Sequence, residues 1–184
     1  MGRNRKDSKH RIEELYNIFL QYPNITTDSR NIKKGDLFFA LKGDNFNGNK
    51  FAEKAIQEGA SFAIIDEEEY NTNDKCFLVE DVLFTLQQLA NHHRREFKNL
   101  KMLAITGTNG KTTTKELCYE ILSKKYKTIA TLGNFNNHIG VPLTLLRINK
   151  ETELAIIEMG ANHVGEIDFL CRIAEPIYGL ITNI

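Results

Sequence analysis

A glycine-containing turn separates an apolar segment from a helix in the middle of this chain. Gly107 and Gly110 bracket the turn, and Lys111 and Thr112 follow it directly. Because glycine has no Cβ, the backbone N–H groups of such a turn can surround phosphate oxygens at the positive end of the following helix. A lysine at this point reaches the β- and γ-phosphates, and a threonine hydroxyl coordinates Mg2+. The spacing therefore predicts a nucleoside triphosphate site.

The turn is a shortened variant of the usual phosphate-binding loop. The glycine expected five residues before Gly110 is replaced by Ile105. The alternative is an ordinary turn between a strand and a helix, with Lys111 simply solvated. An apolar run precedes the turn, and apolar residues at helical spacing follow it: Leu117, Cys118, Ile121 and Leu122. This strand–turn–helix context favours the nucleotide-binding interpretation.

A second candidate is the carboxylate of Glu158, which ends the apolar segment Leu154–Ile157. Nucleotide-binding proteins of this type hold magnesium with such a carboxylate, opposite the threonine of the loop. The alternative is a carboxylate at a strand edge that pairs with a surface lysine. We predict that Thr112 and Glu158 together bind the magnesium ion.

Two further segments are polar. Asn134, Asn136 and Asn137 lie between a predicted strand and helix, where amides could bind an uncharged polar ligand such as a sugar or peptide. Equally, Asn137 could cap a helix whose first turn contains Pro142. In the first half, Asp28 and Ser29 are typical of a side-chain-stabilised turn, which by itself indicates no substrate.

Hydrophobic periodicity predicts two stretches of different organisation. The first mixes helices near 9–20, 49–58 and 82–97 with short strands near 25, 36–41, 61–66 and 77–80. The second alternates strictly, with strands at 101–106, 126–131, 153–158 and 178–183 and helices at 111–124, 140–148 and 164–174. We therefore predict an α/β fold, in which a small mixed α/β domain (1–98) precedes a truncated P-loop-type, parallel-sheet ATPase domain (99–184). Because its last strand has no covering helix, we expect a fragment of a longer protein.

Composition excludes several classes of protein. The chain has 184 residues, with 24 basic and 24 acidic side chains, so no field of one sign favours nucleic acid or an anionic membrane. No apolar run approaches the roughly 20 residues that span a bilayer. The three cysteines are far apart and form no metal or redox motif. We expect a cytoplasmic protein that is a monomer.

Five motifs together resemble the Mur ligase family of peptidoglycan synthesis. They are Thr-Asp-Ser-Arg at 27–30, Gly-Asp-Leu-Phe-Phe-Ala-Leu-Lys-Gly at 35–43, Gly-Thr-Asn-Gly-Lys-Thr-Thr-Thr-Lys-Glu at 107–116, Gly-Asn-Phe-Asn-Asn-His-Ile-Gly-Val-Pro at 133–142 and Glu-Met-Gly-Ala-Asn-His-Val-Gly-Glu-Ile at 158–167. They occur in family order over nearly the whole chain. Within the family, the sequence looks most like the branch that adds D-alanyl-D-alanine.

The resemblance implies an ATP-dependent amide ligase with UDP-N-acetylmuramoyl-tripeptide and D-alanyl-D-alanine as substrates, acting through an acyl phosphate. It implies that residues 1–98 form the UDP-substrate domain and that residues 99–184 form the N-terminal part of the ATP-binding domain. It implies catalytic roles for Lys111 and Glu158. It further implies an ATP site formed by Gly107, Thr108, Asn109, Gly110, Lys111, Thr112 and Thr113, and substrate contacts from Ser29, Arg30, Asn134, Asn136, Asn137 and His163. From the residues alone, His163 could equally be an ordinary loop residue.

The chain also departs from the family pattern. Many relatives have Asp-Gly-His where this chain has Asn47-Gly48-Asn49, and family members are more than twice as long. Without the missing part, we expect the 184 residues not to catalyse the reaction.

Two alternative functions are open. The chain could be a non-catalytic module that binds the UDP substrate, or a relative that adds a different amino acid. A folylpolyglutamate-type ligase is disfavoured because residues 24–66 do not resemble that family.

Overall fold

The structure is a computed structural model that describes the backbone of residues 5–184 and the side chains of residues 10–184. The chain forms two compact units, which divide between Leu89 and Ala90. No helix within the described part of the chain is long and apolar enough to cross a membrane.

The first unit contains a four-stranded parallel sheet in the order β1-β2-β5-β6. Its elements are α1 (Arg5–Gln21), β1 (Ile25–Thr26), β2 (Leu37–Phe39), β3 (Lys42–Gly43), β4 (Phe46–Asn47), a 3-10 turn (Gly48–Phe51), α2 (Ala52–Gln57), β5 (Phe62–Ile65), a second 3-10 turn (Glu68–Tyr70) and β6 (Cys76–Leu78). Strands β3 and β4 form a separate antiparallel ribbon.

The sheet of the first unit is covered on both faces. All three residues of β2 are fully buried, although successive side chains point to opposite sides of a strand. On one face Phe38 packs with small residues of α2, Ala52 and Ala55, which let the helix lie close to the strands. Continuous burial of this kind is typical of a parallel sheet.

The second unit contains another parallel sheet, in the order β10-β7-β9-β8. Its elements after α3 (Val82–Glu96) are β7 (Lys101–Thr106), α4 (Lys111–Leu122), β8 (Thr128–Ala130), α5 (Gly140–Leu145), β9 (Leu154–Glu158), α6 (Glu166–Ala174) and β10 (Tyr178–Ile181). Leu154 and Ile156 of β9 pack with Ile105 and with Cys118 and Leu122 of α4. The central strands therefore anchor α4, the helix that follows the glycine turn.

The division between the units falls inside α3, before the predicted boundary at 98/99. The second half of α3 is bonded to the end of α6. The Asn91 amide donates to the carbonyl of Ile173 (2.9 Å), and the Arg94 guanidinium donates to the carbonyls of Ala174 and Glu175 (3.2 Å each). Glu175 has a left-handed backbone (φ 47°), so these donors satisfy carbonyls at an irregular helix end.

The predicted α/β class with parallel sheets is confirmed, and each predicted helix and strand has a counterpart near its expected position. The β3–β4 ribbon was missed. Its strands have two residues each, too few to produce a periodic pattern.

His93 provides a test of the packing of α3 in the second unit. The residue is 4% exposed, and Nε2 lies 2.8 Å from the carbonyl oxygen of Ile148, so Nε2 carries a proton. Burial lowers the pKa of His93 below its ordinary value of 6.5. The unfolded chain therefore takes up a proton at higher pH than the folded chain does. The stabilisation that results from keeping His93 neutral is fully present above about pH 6.5, and it is lost as the pH falls toward the folded-state pKa.

We expect the variant His93→Gln, which keeps an N–H donor but does not titrate, to lose less stability on acidification. Between about pH 7.5 and pH 5.5, the unmodified chain should lose more free energy of unfolding than the variant, by on the order of 1 kcal/mol. Urea unfolding at the two pH values measures this. Equal losses in the two proteins would contradict the prediction.

Candidate functional site

The glycine turn begins where β7 ends and finishes at the first residue of α4. Gly107 (φ 136°) and Gly110 (φ 79°) both have backbones in the left-handed region, which side chains with a Cβ rarely adopt. Gly110 is also the N-terminal cap of α4 and provides no side-chain bond to its N–H groups. The positive end of α4 thus opens toward the turn, as an anion site requires.

Residues that follow β10 hold the turn in place. A Cβ on Gly107 would lie 2.2 Å from the hydroxyl of Thr182, so only glycine fits here. This hydroxyl donates to the carbonyl of Asn109 (2.5 Å), and the N–H of Asn109 donates to the side-chain oxygen of Asn183 (2.9 Å). Neither Thr182 nor Asn183 is predicted from the sequence. Their role depends on β10 being the neighbour of β7, which the linear pattern does not reveal.

The side chain of Lys111 lies across the turn. Its ammonium group donates to the carbonyl oxygens of Gly107 (2.7 Å) and Thr108 (3.3 Å). The cation is therefore held at the turn by backbone oxygens, close to the N-terminus of α4. The contact of Lys111 with phosphate stays a prediction.

Glu158 lies at the end of β9 and is 1% exposed. One carboxylate oxygen, Oε1, accepts hydrogen bonds from the Thr112 hydroxyl (3.1 Å) and from the Asn136 amide (2.9 Å). The other, Oε2, is buried and has no hydrogen-bond partner in the described part of the chain. The predicted pair Thr112 and Glu158 is thus in direct contact, and Asn136 joins it.

The three asparagines of the 133–137 segment act differently from one another. Asn136 also holds the loop that follows β9, since its backbone carbonyl accepts a hydrogen bond from the N–H of Gly160 (2.8 Å). The side-chain oxygen of Asn137 accepts from the N–H groups of Ile139 (3.1 Å) and Gly140 (2.9 Å) at the start of α5, which matches the capping alternative. Asn134 is exposed. Only Asn136 of the three touches Glu158 in the described contacts.

His163 lies in the exposed loop that precedes α6. Its backbone N–H, together with that of Asn162, donates to the carboxylate of Glu166, and these two bonds lower the pKa of Glu166. The described contacts of His163 thus come from its backbone and stabilise the loop.

In the first unit, Ser29 and Arg30 lie in a tight turn. Asp28 accepts from the backbone N–H (3.0 Å) and from Nε (2.8 Å) of Arg30, and these bonds lower the pKa of Asp28 to about 2. The Arg30 side chain is 87% exposed, whereas Ser29 is 7% exposed. The arrangement holds a guanidinium group at the surface of the first unit.

Asn47 and Asn49 form a network of amide hydrogen bonds in the first unit. Asn49, which is fully buried, donates to Asp66 (2.9 Å) and to the side-chain oxygen of Asn47 (3.0 Å). Lys42 forms an ion pair with Asp66 (3.0 Å), which raises the pKa of Lys42. These bonds tie the β3–β4 ribbon to the end of β5. In this chain the two asparagines therefore have a structural role.

The side-chain oxygens of Thr112 and Glu158 are better suited to coordinate magnesium than a softer metal. No cluster of three or more His, Cys, Asp or Glu side chains that could hold a metal occurs among the described residues. Thr112 and Glu158 instead offer two hard oxygen ligands. Magnesium commonly takes one or two protein oxygens and completes its shell with water and phosphate oxygens. Oε2 of Glu158, which accepts no hydrogen bond from the described residues, is consistent with a cation ligand.

Two family models match the chain. The Mur ligase family, catalytic domain, matches residues 21–97, and the Mur ligase middle domain matches residues 105–184. A relative from Bacillus subtilis (strain 168), UDP-N-acetylmuramoyl-tripeptide--D-alanyl-D-alanine ligase, is 43% identical over 87% of this chain and 35% of its own length. The Escherichia coli (strain K12) protein of the same name is 37% identical over 93% of this chain and 37% of its own.

Solved structures give the same result. A crystal structure of MurF from Acinetobacter baumannii has a TM-score of 0.80 and 40% identity over 86% of this chain and 34% of its own. MurF ligase from Thermotoga maritima, solved in complex with ADP, has a TM-score of 0.80 and 35% identity over 89% of this chain and 38% of its own. The chain thus spans slightly more than a third of the length of these proteins. With both family models matched in consecutive segments, the chain belongs to the Mur ligase family.

Proposed function

We propose that this chain supplies the UDP-substrate domain and the phosphate-binding part of an ATP-dependent ligase that joins D-alanyl-D-alanine to UDP-N-acetylmuramoyl-tripeptide. The observation that carries the proposal is the contact between Thr112 and Glu158 beside the glycine turn. It provides a phosphate loop and a pair of magnesium ligands at one edge of a parallel sheet, where ligands of α/β proteins bind. The two proposed substrates are those in the names of the relatives.

The chain's own residues would act mainly by neutralising charge. The substrate carboxylate must approach a polyanionic nucleotide, which requires fixed positive groups. N–H groups of the turn and of the first turn of α4 would bind phosphate oxygens, and Lys111 would move from the carbonyls of Gly107 and Thr108 to the β- and γ-phosphates. Thr112 and Glu158 would hold a magnesium ion, which when bound neutralises phosphate charge.

The proposed reaction has two steps. An oxygen of the tripeptide carboxylate attacks the γ-phosphorus of ATP, and the bond to ADP breaks. The amine of D-alanyl-D-alanine then attacks the acyl carbon, loses a proton and displaces inorganic phosphate. Lys111 would stabilise the charge on the transferred phosphoryl group in the first step.

Substrate contacts are proposed from both units. In the first, the guanidinium of Arg30, which is exposed although it pairs with Asp28, would contact the diphosphate of the uridine nucleotide, with Ser29 beside it in the same turn. In the second, Asn134, Asn136, Asn137 and His163 lie in the loops after β8 and β9 and would face the muramoyl-peptide.

The variant Lys111→Met tests the phosphate loop. Loss of the ammonium group should weaken binding of ATP in the presence of magnesium by about tenfold or more, because a charged contact to phosphate is lost. Isothermal titration calorimetry measures the affinity. Lys124→Met makes the same change at an exposed residue just after α4 and should bind ATP normally. Equal affinities of the two variants would contradict the nucleotide site.

The variant Gly107→Ala tests the geometry of the turn. The added Cβ would meet the Thr182 hydroxyl at 2.2 Å, and alanine disfavours φ 136°. We expect ATP binding to fall by about tenfold or more and the thermal midpoint to decrease. Gly179→Ala, in β10, adds a Cβ that has no atom of the described residues within 4 Å, and it is the matched control. Nucleotide affinity that is the same in both variants would show that the turn does not bind phosphate.

The variant Arg30→Gln tests the first unit. We expect affinity for UDP-N-acetylmuramoyl-tripeptide to fall by about tenfold, because a charge-assisted contact to the diphosphate is lost. Calorimetry with this ligand and with UDP alone measures the effect. Lys75→Gln removes one exposed positive charge from the same unit and should bind both ligands normally. If Arg30→Gln binds as well as Lys75→Gln, the diphosphate is held elsewhere.

A further inference from the structure

Lys115 is a buried lysine on α4 that the proposed reaction does not use. Its side chain is 1% exposed, which is unusual because lysine is almost never fully buried unless it is paired. The ammonium group donates to the carbonyl oxygen of Thr131 (2.8 Å) and forms an ion pair with Glu116 (2.9 Å). Glu116 is 60% exposed, so this partner is largely solvated. Two contacts therefore fix the position of the Lys115 charge.

The same ammonium group lies 3.9 Å from Oε2 of Glu158, the buried oxygen that accepts no hydrogen bond from any described residue. A buried carboxylate is costly unless a charge or hydrogen bonds compensate it. Oε1 accepts two hydrogen bonds, so the oxygen that lacks compensation is Oε2, on the side of the carboxylate that faces Lys115. The distance is too long for a hydrogen bond but short enough for a strong Coulombic interaction in a protein interior.

Thr131 connects the two charged groups. Its carbonyl accepts from Lys115, and its hydroxyl oxygen accepts from the backbone N–H of Glu158 (2.9 Å). Thr131 is itself 2% exposed. Lys115 and Glu158 are thus held by one buried residue at the end of β8, which keeps the ammonium group at a fixed distance from the carboxylate.

We propose that Lys115 is a positioning residue for the metal ligand Glu158: its buried ammonium group is the counter-charge that holds the carboxylate in place when no cation is bound. The inference rests on the proposed function, which makes Glu158 a magnesium ligand. A divalent cation at Glu158 lies near Lys115 and is repelled by it. A free cation therefore binds weakly, and the negative phosphates of a nucleotide are needed to offset the repulsion. Lys115 thus makes cation binding depend on the nucleotide.

Manganese(II), a paramagnetic substitute for magnesium, provides the test. Electron paramagnetic resonance measures the free ion during titration of the unmodified chain and of Lys115→Met, Glu158→Gln and the control Lys124→Met, with and without ADP. We expect Lys115→Met to bind manganese(II) without ADP about tenfold or more tightly than the unmodified chain does, because a repelling charge is removed. The increase in manganese(II) affinity caused by ADP should be smaller in Lys115→Met than in the unmodified chain or in Lys124→Met. Glu158→Gln should not bind manganese(II) at this site.

The outcomes separate the two proposals. If Glu158→Gln weakens manganese(II) binding but Lys115→Met binds no more tightly than Lys124→Met, Lys115 has only a structural role and the inference is overturned. If Glu158→Gln binds like the unmodified chain, the metal assignment itself is wrong and the inference falls with it.

Stability provides a second test in case Lys115→Met folds poorly. Removal of Lys115 leaves the buried Glu158 carboxylate uncompensated, which should lower the thermal midpoint measured by circular dichroism. The double variant with Lys115→Met and Glu158→Gln removes both charges and should recover most of the loss. A double variant no more stable than Lys115→Met would overturn the inference, because the lost stability would then be unrelated to Glu158.

Discussion

The arrangement of the site depends on the register in which β7 and β9 pair. The two strands are parallel, and Ile105 is the partner of Glu158. The glycine turn after β7 and the carboxylate at the end of β9 therefore meet at one edge of the sheet. Leu154 and Ile156 pack on the side of α4, and Glu158 follows them at the same alternation. A slip of one residue would turn Glu158 to the opposite face, away from Thr112.

The sequence predicts the elements of this fold well but not their lateral order. Alternating strands and helices from residue 101 onward indicate a parallel sheet, and the glycine turn identifies its ligand-binding edge. The order β10-β7-β9-β8 depends on tertiary packing, which no local pattern encodes. The contacts that need this order, Thr182 with the turn and Thr131 with Glu158, could not be predicted for the same reason.

Residue type alone also does not predict which asparagine of the 133–137 segment contacts Glu158. Asn136 and Asn137 are neighbours with the same side chain, yet one donates to Glu158 and the other caps α5. The difference arises from the backbone, because the carbonyl of Asn136 is fixed by Gly160 in the loop after β9. A Cβ on Gly160 would lie 3.0 Å from the Asn136 side chain. The close approach of two loops, rather than the local sequence, directs this amide toward the carboxylate.

The hydrogen bonds of Glu158 are compatible with cation binding at both proposed ligands. The Thr112 hydroxyl donates its proton to Oε1, so the lone pairs of the hydroxyl oxygen remain free to face a cation. Oε1 is already engaged by Thr112 and Asn136, whereas Oε2 has no hydrogen bond in the described part of the chain. The carboxylate can therefore offer Oε2 to a cation without giving up either donor. Lys115 lies 3.9 Å from that same oxygen, so a cation bound there would compete with the positive side chain for one atom.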